Sequence, residues 1–574
     1  MNKIWLEHYP EGVPHEVDVH AYASLNVIFD QSCERFRELP CLTNMGVTLN
    51  YAEVDRHARD FAAYLQSALK LATGDRLAIM MPNLLQYPVA LFGAFRAGLV
   101  VVGCNPLYTP RELEHQLADS GAKAIVVLEN FAHTVAEVIG KTAVENVIVA
   151  KVGDLFPGPK GWLTNFVVKH VKHMVPAWRI DRAIPFKQAL ATGSKATLRP
   201  VSLTQADIAF LQYTGGTTGV PKGAMLTHGN MVANLQQISA WIGQDFEEGK
   251  ETIITPLPLY HVFALTANLL TFLKWGARNV LITNPRDIPG LIAELKKTPF
   301  SAITGVNTLF ASLLANPGFR DVDTRALKVA FAGGMAVQRA VSEKWLAATG
   351  KPLCEGYGLT EASPIVAGNP LDAKGFTGTV GMPFPSTEIE VRDEAGQAVP
   401  LGEVGELCVR GPQVMKGYWN QPQETAHVFT ADGWLLTGDM GFMDESGTLK
   451  ITDRKKDMIV VSGFKVYPNE IEEVVMSHPG VAEAAAIAEP DERSGEVVKI
   501  VVVARDPALS ADALIAWCKE RLAGYKVPRV VQFRTEPLPK SPVGKVLRRQ
   551  VRAESRESTS VSSDKSRHAE AGAA

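Results

Sequence analysis

The chain has 574 residues, too many for one compact core, so two or more domains are expected. Hydrophobic residues make up 46% and charged residues 21%, the balance of a globular protein rather than a disordered chain. A formal net charge of -3 gives no reason to expect a nucleic-acid partner, and the six cysteines (Cys33, Cys41, Cys104, Cys354, Cys408, Cys518) contain no Cys-x-x-Cys pair, which argues against zinc and for reduced thiols in a cytosolic protein.

The start, Met1-Asn-Lys-Ile-Trp-Leu-Glu-His-Tyr-Pro10, lacks the continuous apolar stretch of a secretion signal. Between residues 47 and 150 short apolar runs alternate with helical patterns. Leu77–Met81, Val100–Gly103, Ala124–Leu128 and Val147–Ala150 read as buried strands, and Tyr87–Ala97 as a helix. That alternation predicts layered α/β sheets. Next, Trp162, Phe166, Val167, Val171 and Met174 fall at helical spacing among Lys160, Lys169, Lys172 and His173. Such a basic amphipathic segment can lie on an anionic inner-membrane surface; the alternative is a helix that packs its apolar side on the protein.

The stretch Tyr213-Thr214-Gly215-Gly216-Thr217-Thr218-Gly219-Val220-Pro221-Lys222-Gly223 holds four glycines, three threonines and one lysine in eleven residues. It has too little apolar surface to bury. Its backbone N–H groups can turn toward one point and cradle an anion, with hydroxyls and an ammonium as further donors. A polyphosphate grip, for ATP, is the reading. It is not a Walker A loop, because Lys222 is followed by Gly223 and not by a Mg²⁺-binding Ser or Thr. The metal ligand must then come from elsewhere.

Ile253–Leu273 carries no Asp, Glu, Lys or Arg and is long enough to span a bilayer, but Pro256 and Pro258 would break such a helix. A strand end, a loop at Pro258–His261 and a core helix are expected. Ile254, Val280–Ile282 and Val329–Phe331 extend the strand series. Gly333-Gly334 lets backbone approach a base or acyl chain closely. In Gly356-Tyr357-Gly358-Leu359-Thr360-Glu361, Glu361 supplies the hard oxygen ligand the glycine loop lacks, Tyr357 offers a face for adenine, and Thr360 a donor near phosphate or carboxylate. Plainer readings are a core tyrosine and a carboxylate at a helix start.

After Phe376 the texture changes to short strands, Glu388–Val391 and Gly405–Arg410, between Gly and Pro turns, which suggests a small distorted β-barrel or an antiparallel region. Asp439 in Asp432-Gly-Trp-Leu-Leu-Thr-Gly-Asp439 can accept from both hydroxyls of a ribose. The charged run Asp453-Arg454-Lys455-Lys456-Asp457 reads as a boundary or a solvated turn. Helix Glu470–Met476 and strands Ala484–Ile487 and Val497–Val503 then make a small α+β unit. Past Arg552 the chain lacks apolar content, and 553–574 are expected to be disordered.

Five segments in this order, Tyr213–Gly223, Gly356–Glu361, Asp432–Asp457, Ser462-Gly463-Phe-Lys465-Val-Tyr-Pro-Asn-Glu470 and Pro539-Lys-Ser-Pro-Val-Gly-Lys545, resemble the core motifs of the adenylate-forming enzymes. That family holds acyl-CoA synthetases, luciferases and peptide-synthetase adenylation domains. The similarity runs from about residue 25 to 552, and 432–458 resembles the fatty acyl-CoA synthetase signature.

The resemblance implies a large N-terminal adenylation domain over 1–453, a mobile C-terminal domain over 454–552, and Asp453 as the hinge. It implies activation of long-chain fatty acids with ATP, Mg²⁺ and coenzyme A through an acyl-adenylate. Lys545 would bridge the attacking carboxylate and the α-phosphate. Thr360 and Glu361 would assist, with Glu361 on the metal. ATP would be held by Tyr213, Thr214, Gly215, Gly216, Thr217, Thr218, Gly219 and Lys222, together with Gly333, Gly334, Tyr357, Gly358, Asp439 and Arg454. Gly463 and Lys465 would face CoA. His261 resembles the family's histidine at the carboxyl end of the acyl site, although a lone histidine in an apolar stretch is as readily a core residue. The segment from Gly305 resembles a pocket lining. Other acids, a carrier protein as acceptor, an oxygenase or a non-catalytic binding protein are the rivals, and the oligomeric state, a homodimer among the choices, is left open.

Overall fold

The computed structural model describes residues 3–214, 221–491, 493–541 and 544–555. The chain folds into two compact units. The first comprises the described residues up to Ile389, with Val409–Leu436 and Ser446–Thr448. The second comprises Glu390–Cys408, Thr437–Glu445 and the described residues from Leu449 on.

The first unit is built on two large sheets. One has seven strands in the order Ile184–Pro185, Asn146–Ala150, Ala124–Leu128, Arg76–Met80, Val100–Cys104, Ile208–Thr214 and Lys222–Thr227. All neighbours are parallel except the last pair, an antiparallel hairpin. Parallel strands covered on both faces need continuous apolar runs, and Val100–Cys104 and Ala124–Leu128 are buried at every position. The expected strands of this region are all present, each within one residue of its predicted start.

The other sheet has nine strands, with a parallel centre of Pro40–Asn44, Arg278–Leu281, Thr252–Thr255, Ala302–Gly305, Val329–Ala332 and Leu353–Gly358. As expected, Thr252–Thr255 leads through a turn at Pro258–His261 into a buried helix; seven of its residues, Ala264–Leu270, wind as π-helix. No helix among the described residues is long and apolar enough to cross a membrane.

Where a small β-barrel is expected, Glu388–Arg392, Gly405–Arg410, Leu435–Met443 and Leu449–Arg454 line up in chain order as a four-stranded sheet. The C-terminal sheet joins Phe464–Val466, Ile459–Val461, Gly495–Ala504 and Val481–Asp491, with Val530–Arg534 beside Gly495–Ala504. Helices Pro468–Met476 and Ala511–Lys519 cover its core of Ile459, Ile471, Val475, Ile500 and Leu514. A last helix runs over 548–555, three residues past the expected end of ordered chain. All six cysteines are buried thiols, so they act as small core residues.

Candidate active site

In the first unit the predicted residues gather where parallel strands end. Gly305 closes Ala302–Gly305, Gly333 follows Val329–Ala332, and Tyr357 and Gly358 close Leu353–Gly358. The ends of parallel strands are where open α/β sheets bind ligands. Packing demands glycine at 358 and favours it at 333. The Gly333 N–H donates to the Gly305 carbonyl (3.2 Å), and a Cβ on Gly333 would sit 3.1 Å from the Phe263 ring. A Cβ on Gly358 would meet the Pro364 carbonyl at 2.2 Å. Gly334 has φ +79°, a conformation that glycine adopts without strain. Tyr357 is buried.

The turn after Gly334 is held by a carboxyl that sequence reasoning missed. Glu355 accepts the Val337 N–H (3.0 Å), and burial pushes its carboxyl up to about 7. His261 is two residues before Phe263, whose N–H points to the His261 Nδ1 at 3.3 Å. Burial lowers its pKa to about 4, so the ring is neutral at physiological pH, with Nδ1 as acceptor and the proton on Nε2.

Gly215, Gly216, Thr217, Thr218 and Gly219 lie outside the described residues. The strands that carry them are described, with Thr214 paired to Lys222. One helix holds both strand ends. Pro110–Ser120 starts with a Thr109–Glu112 capping box and a proline in its first turn, and stops at Gly121 in the left-handed region. His115 and Asp119, one turn apart on that helix, therefore share a face. His115 Nε2 donates to the Pro221 carbonyl (3.0 Å), and the Tyr213 hydroxyl donates to Asp119 Oδ2 (2.5 Å). Burial, then this carboxylate, raises the Tyr213 pKa far above its usual value.

Lys222 pairs with Glu424, and its ammonium lies 5.4 Å from the centre of the Tyr418 ring. The Tyr418 hydroxyl donates to Glu361 Oε1 at 2.7 Å, and the Met415 N–H donates to the Glu361 carbonyl at 2.7 Å. Tyr418 thus joins the lysine of the glycine loop to the proposed metal ligand. Thr360 and Glu361 begin a single 3₁₀ turn, Thr360–Ala362.

The remaining predicted residues belong to the second unit. Asp439 and Arg454 face each other across neighbouring antiparallel strands, with Nε and Oδ1 3.3 Å apart. Ser541 fixes both backbone groups of Lys545: its N–H donates to the Lys545 carbonyl (2.7 Å) and its hydroxyl accepts the Lys545 N–H (3.1 Å). Burial first, then the Arg454 guanidinium, lowers the Lys545 pKa to about 8, against the opposing pull of Asp439.

Asp453 is fully buried. Its carboxylate accepts from Arg548 (2.8 Å) and from the Asn469 N–H (2.7 Å), while Arg548 also grips Glu472 through two nitrogens at 2.8 and 2.7 Å. Burial raises the Asp453 carboxyl, opposed chiefly by Arg548. Ser462 and Gly463, both at positive φ, form a two-residue hairpin turn, and Lys465 pairs with Glu394 (2.7 Å).

The AMP-binding enzyme family profile matches residues 29–419, and that of the AMP-binding enzyme C-terminal domain matches 470–545. The chain belongs to the AMP-binding enzyme family. It is 55% identical over 556 residues to a long-chain-fatty-acid–CoA ligase of Escherichia coli O6:H1, covering 97% of this chain and 99% of that one. A long-chain-fatty-acid–CoA ligase of Haemophilus influenzae is 51% identical over 96% of this chain and 99% of its own. Among solved structures, ATP-bound MatB from Rhodopseudomonas palustris superposes with a TM-score of 0.78 at 28% identity, over 92% of this chain and 99% of that chain.

The described residues of this AMP-binding enzyme contain no cluster of three or more His, Cys, Asp or Glu that could cage a metal. One oriented carboxylate, Glu361, suits Mg²⁺, which is commonly held by one or two carboxylates with substrate phosphates and water completing the shell. His115, Asp119, Glu355, Tyr418 and Glu424 carry no motif. Of these, Glu355 adjoins a motif, the segment Gly356–Glu361.

Proposed function

We propose that this chain is an ATP-dependent, AMP-forming ligase that converts long-chain fatty acids to acyl-CoA. The observation that carries the proposal is 51–55% identity, over nearly the full chain, to long-chain-fatty-acid–CoA ligases, with Lys222, Glu361, Asp439 and Lys545 at the motif positions. A carboxylate oxygen attacks the α-phosphorus of ATP, and the bond to pyrophosphate breaks. The CoA thiolate then attacks the acyl carbonyl of the adenylate, forming the thioester and releasing AMP.

The protein aligns the reactants and neutralises charge. Lys222 and the glycine loop hold the phosphates. Lys545 sits between the two anions that must meet. Thr360 donates near the α-phosphate, Tyr357 and Gly333–Gly334 border the base, and Asp439 with Arg454 holds the ribose. His261 and Gly305 line the acyl end, and Gly463 and Lys465 face CoA. Mg²⁺, held by Glu361, neutralises phosphate charge when bound. Asp453 is the pivot between residues 1–453 and 454–552, which adopt different orientations for the two steps. The enzyme works in the cytoplasm, in peripheral contact with a membrane surface where its substrate partitions.

Lys545→Ala tests the assignment. Adenylate formation should fall by roughly 10²–10³, while thioester formation from preformed acyl-adenylate persists. Equal loss of both halves in a folded variant would refute the role of Lys545.

A further inference from the structure

Apart from the half-buried Val167, the basic amphipathic segment does not bury its apolar side. In helix Gly158–Phe166 the buried residue is Gly161, and a Cβ there would meet the Gly153 carbonyl at 2.5 Å. One turn on, Asn165 accepts the Gly153 N–H at 2.8 Å. Gly161 and Asn165 therefore fix the inward face, and the large apolar residues point away. Trp162 is 67% exposed, Leu163 54%, Phe166 43%, Val171 60% and Met174 53%. The rings of Trp162 and Phe166 stack at 5.5 Å, and Phe166 lies 5.1 Å from the His170 ring, so the outer face is one aromatic strip. The helix continues through a π-helical turn at Val167–Val171. Lys160 ties it to the Met45 and Gly46 carbonyls (3.0 and 3.2 Å), and Lys169 to Glu129 (2.8 Å).

A contiguous exposed apolar strip is a docking feature, not ordinary surface scatter. Its surroundings choose the partner. Residues 158–182 hold Lys160, Lys169, Lys172, Arg179 and Arg182 against one acidic residue, Asp181, in a chain whose overall charge is -3. Large apolar side chains flanked by cations match the boundary between acyl chains and anionic headgroups.

We propose that the face formed by Trp162, Leu163, Phe166, Val171 and Met174 docks on an anionic lipid bilayer, with Lys172 in the headgroup layer. This rests on the membrane-surface reading above and not on the ligase chemistry. The side chains penetrate, the inward Gly161–Asn165 face stays on the protein, and the protein sits where its substrate is dissolved.

The test is co-sedimentation of the full chain with vesicles of phosphatidylglycerol and phosphatidylethanolamine, and with phosphatidylcholine alone. Wild type should partition at least tenfold better to the anionic vesicles. Trp162→Ser with Phe166→Ser should lose at least tenfold on the same vesicles while keeping wild-type turnover of a water-soluble short acid, which also proves it folded. Lys172→Glu should lose binding at low salt and little at high salt. Wild-type binding that survives the double substitution overturns this face but keeps membrane contact. Absence of wild-type binding overturns both. A change from dimer to monomer in the double variant, with vesicle binding intact, assigns the strip to a second copy of the chain instead.

Discussion

Raising the pH through 8 should switch off the first half-reaction and spare the second. Lys545 is half-buried beside Arg454, and its pKa is lowered to about 8. At pH 7 roughly 90% of Lys545 in the free enzyme is then charged, and at pH 9 roughly 10%, so acid-dependent ATP–pyrophosphate exchange at subsaturating ATP and acid should drop about ninefold. Thioester formation from preformed acyl-adenylate should show no such step. Lys545→Arg keeps its charge throughout. It should be slower because its geometry differs, but flat from pH 7 to 9. The same shift has a stability consequence. The folded pKa lies below the unfolded one, so the unfolded chain binds the extra proton between pH 8 and 10.5. The penalty is complete below pH 8, at most roughly 3 kcal/mol, and fades as pH rises through that window. Lys545→Met should therefore raise the melting temperature at pH 7 while slowing adenylation by roughly 10²–10³. The assays are half-reaction rates over a pH series and calorimetry. A ninefold drop in both half-reactions, or the same drop in Lys545→Arg, would refute the reasoning.

Three further substitutions probe the geometry. Arg548→Ala leaves the buried Asp453 and the half-buried Glu472 as uncompensated carboxylates, and denaturation should show a loss of about 3–5 kcal/mol; a loss below about 1 kcal/mol contradicts the network. Tyr418→Phe removes the hydrogen bond that orients Glu361 and should raise the KM for MgATP roughly tenfold with a smaller change in kcat; an unchanged KM sinks that link. Glu424→Gln frees Lys222 for phosphate, so ATP should bind several-fold tighter by calorimetry, and equal or weaker binding would mean the pair does not compete with the nucleotide.

What the sequence disclosed and what it hid divide along physical lines. Tyr213–Gly223 stood out because glycine, threonine and lysine at that density have no use in a core. Parallel strands such as Ala124–Leu128 were legible because burial on both faces demands an unbroken apolar run. Asp439 and Arg454 were each found in a motif, but their cross-strand pairing depends on hairpin register, which the strands settle together. His115 and Asp119 were invisible: their spacing marks one helix face, and nothing local shows that it meets Tyr213 and Pro221. Tyr418 reaches Glu361 across 57 positions of chain, a proximity that only the tertiary fold creates. The 162–174 pattern fitted a packed helix as well as a docked one, with the packed one the plainer reading; Gly161 against Gly153 turns its large apolar residues outward.

The central claim is the reaction and its substrate class. We would measure AMP release with ATP, Mg²⁺ and CoA over straight-chain acids from acetate to stearate, with benzoate-type acids alongside. The account predicts turnover that requires CoA and is greatest with long chains. Turnover greatest with short or aromatic acids, AMP release that ignores CoA, or no AMP at all would contradict it.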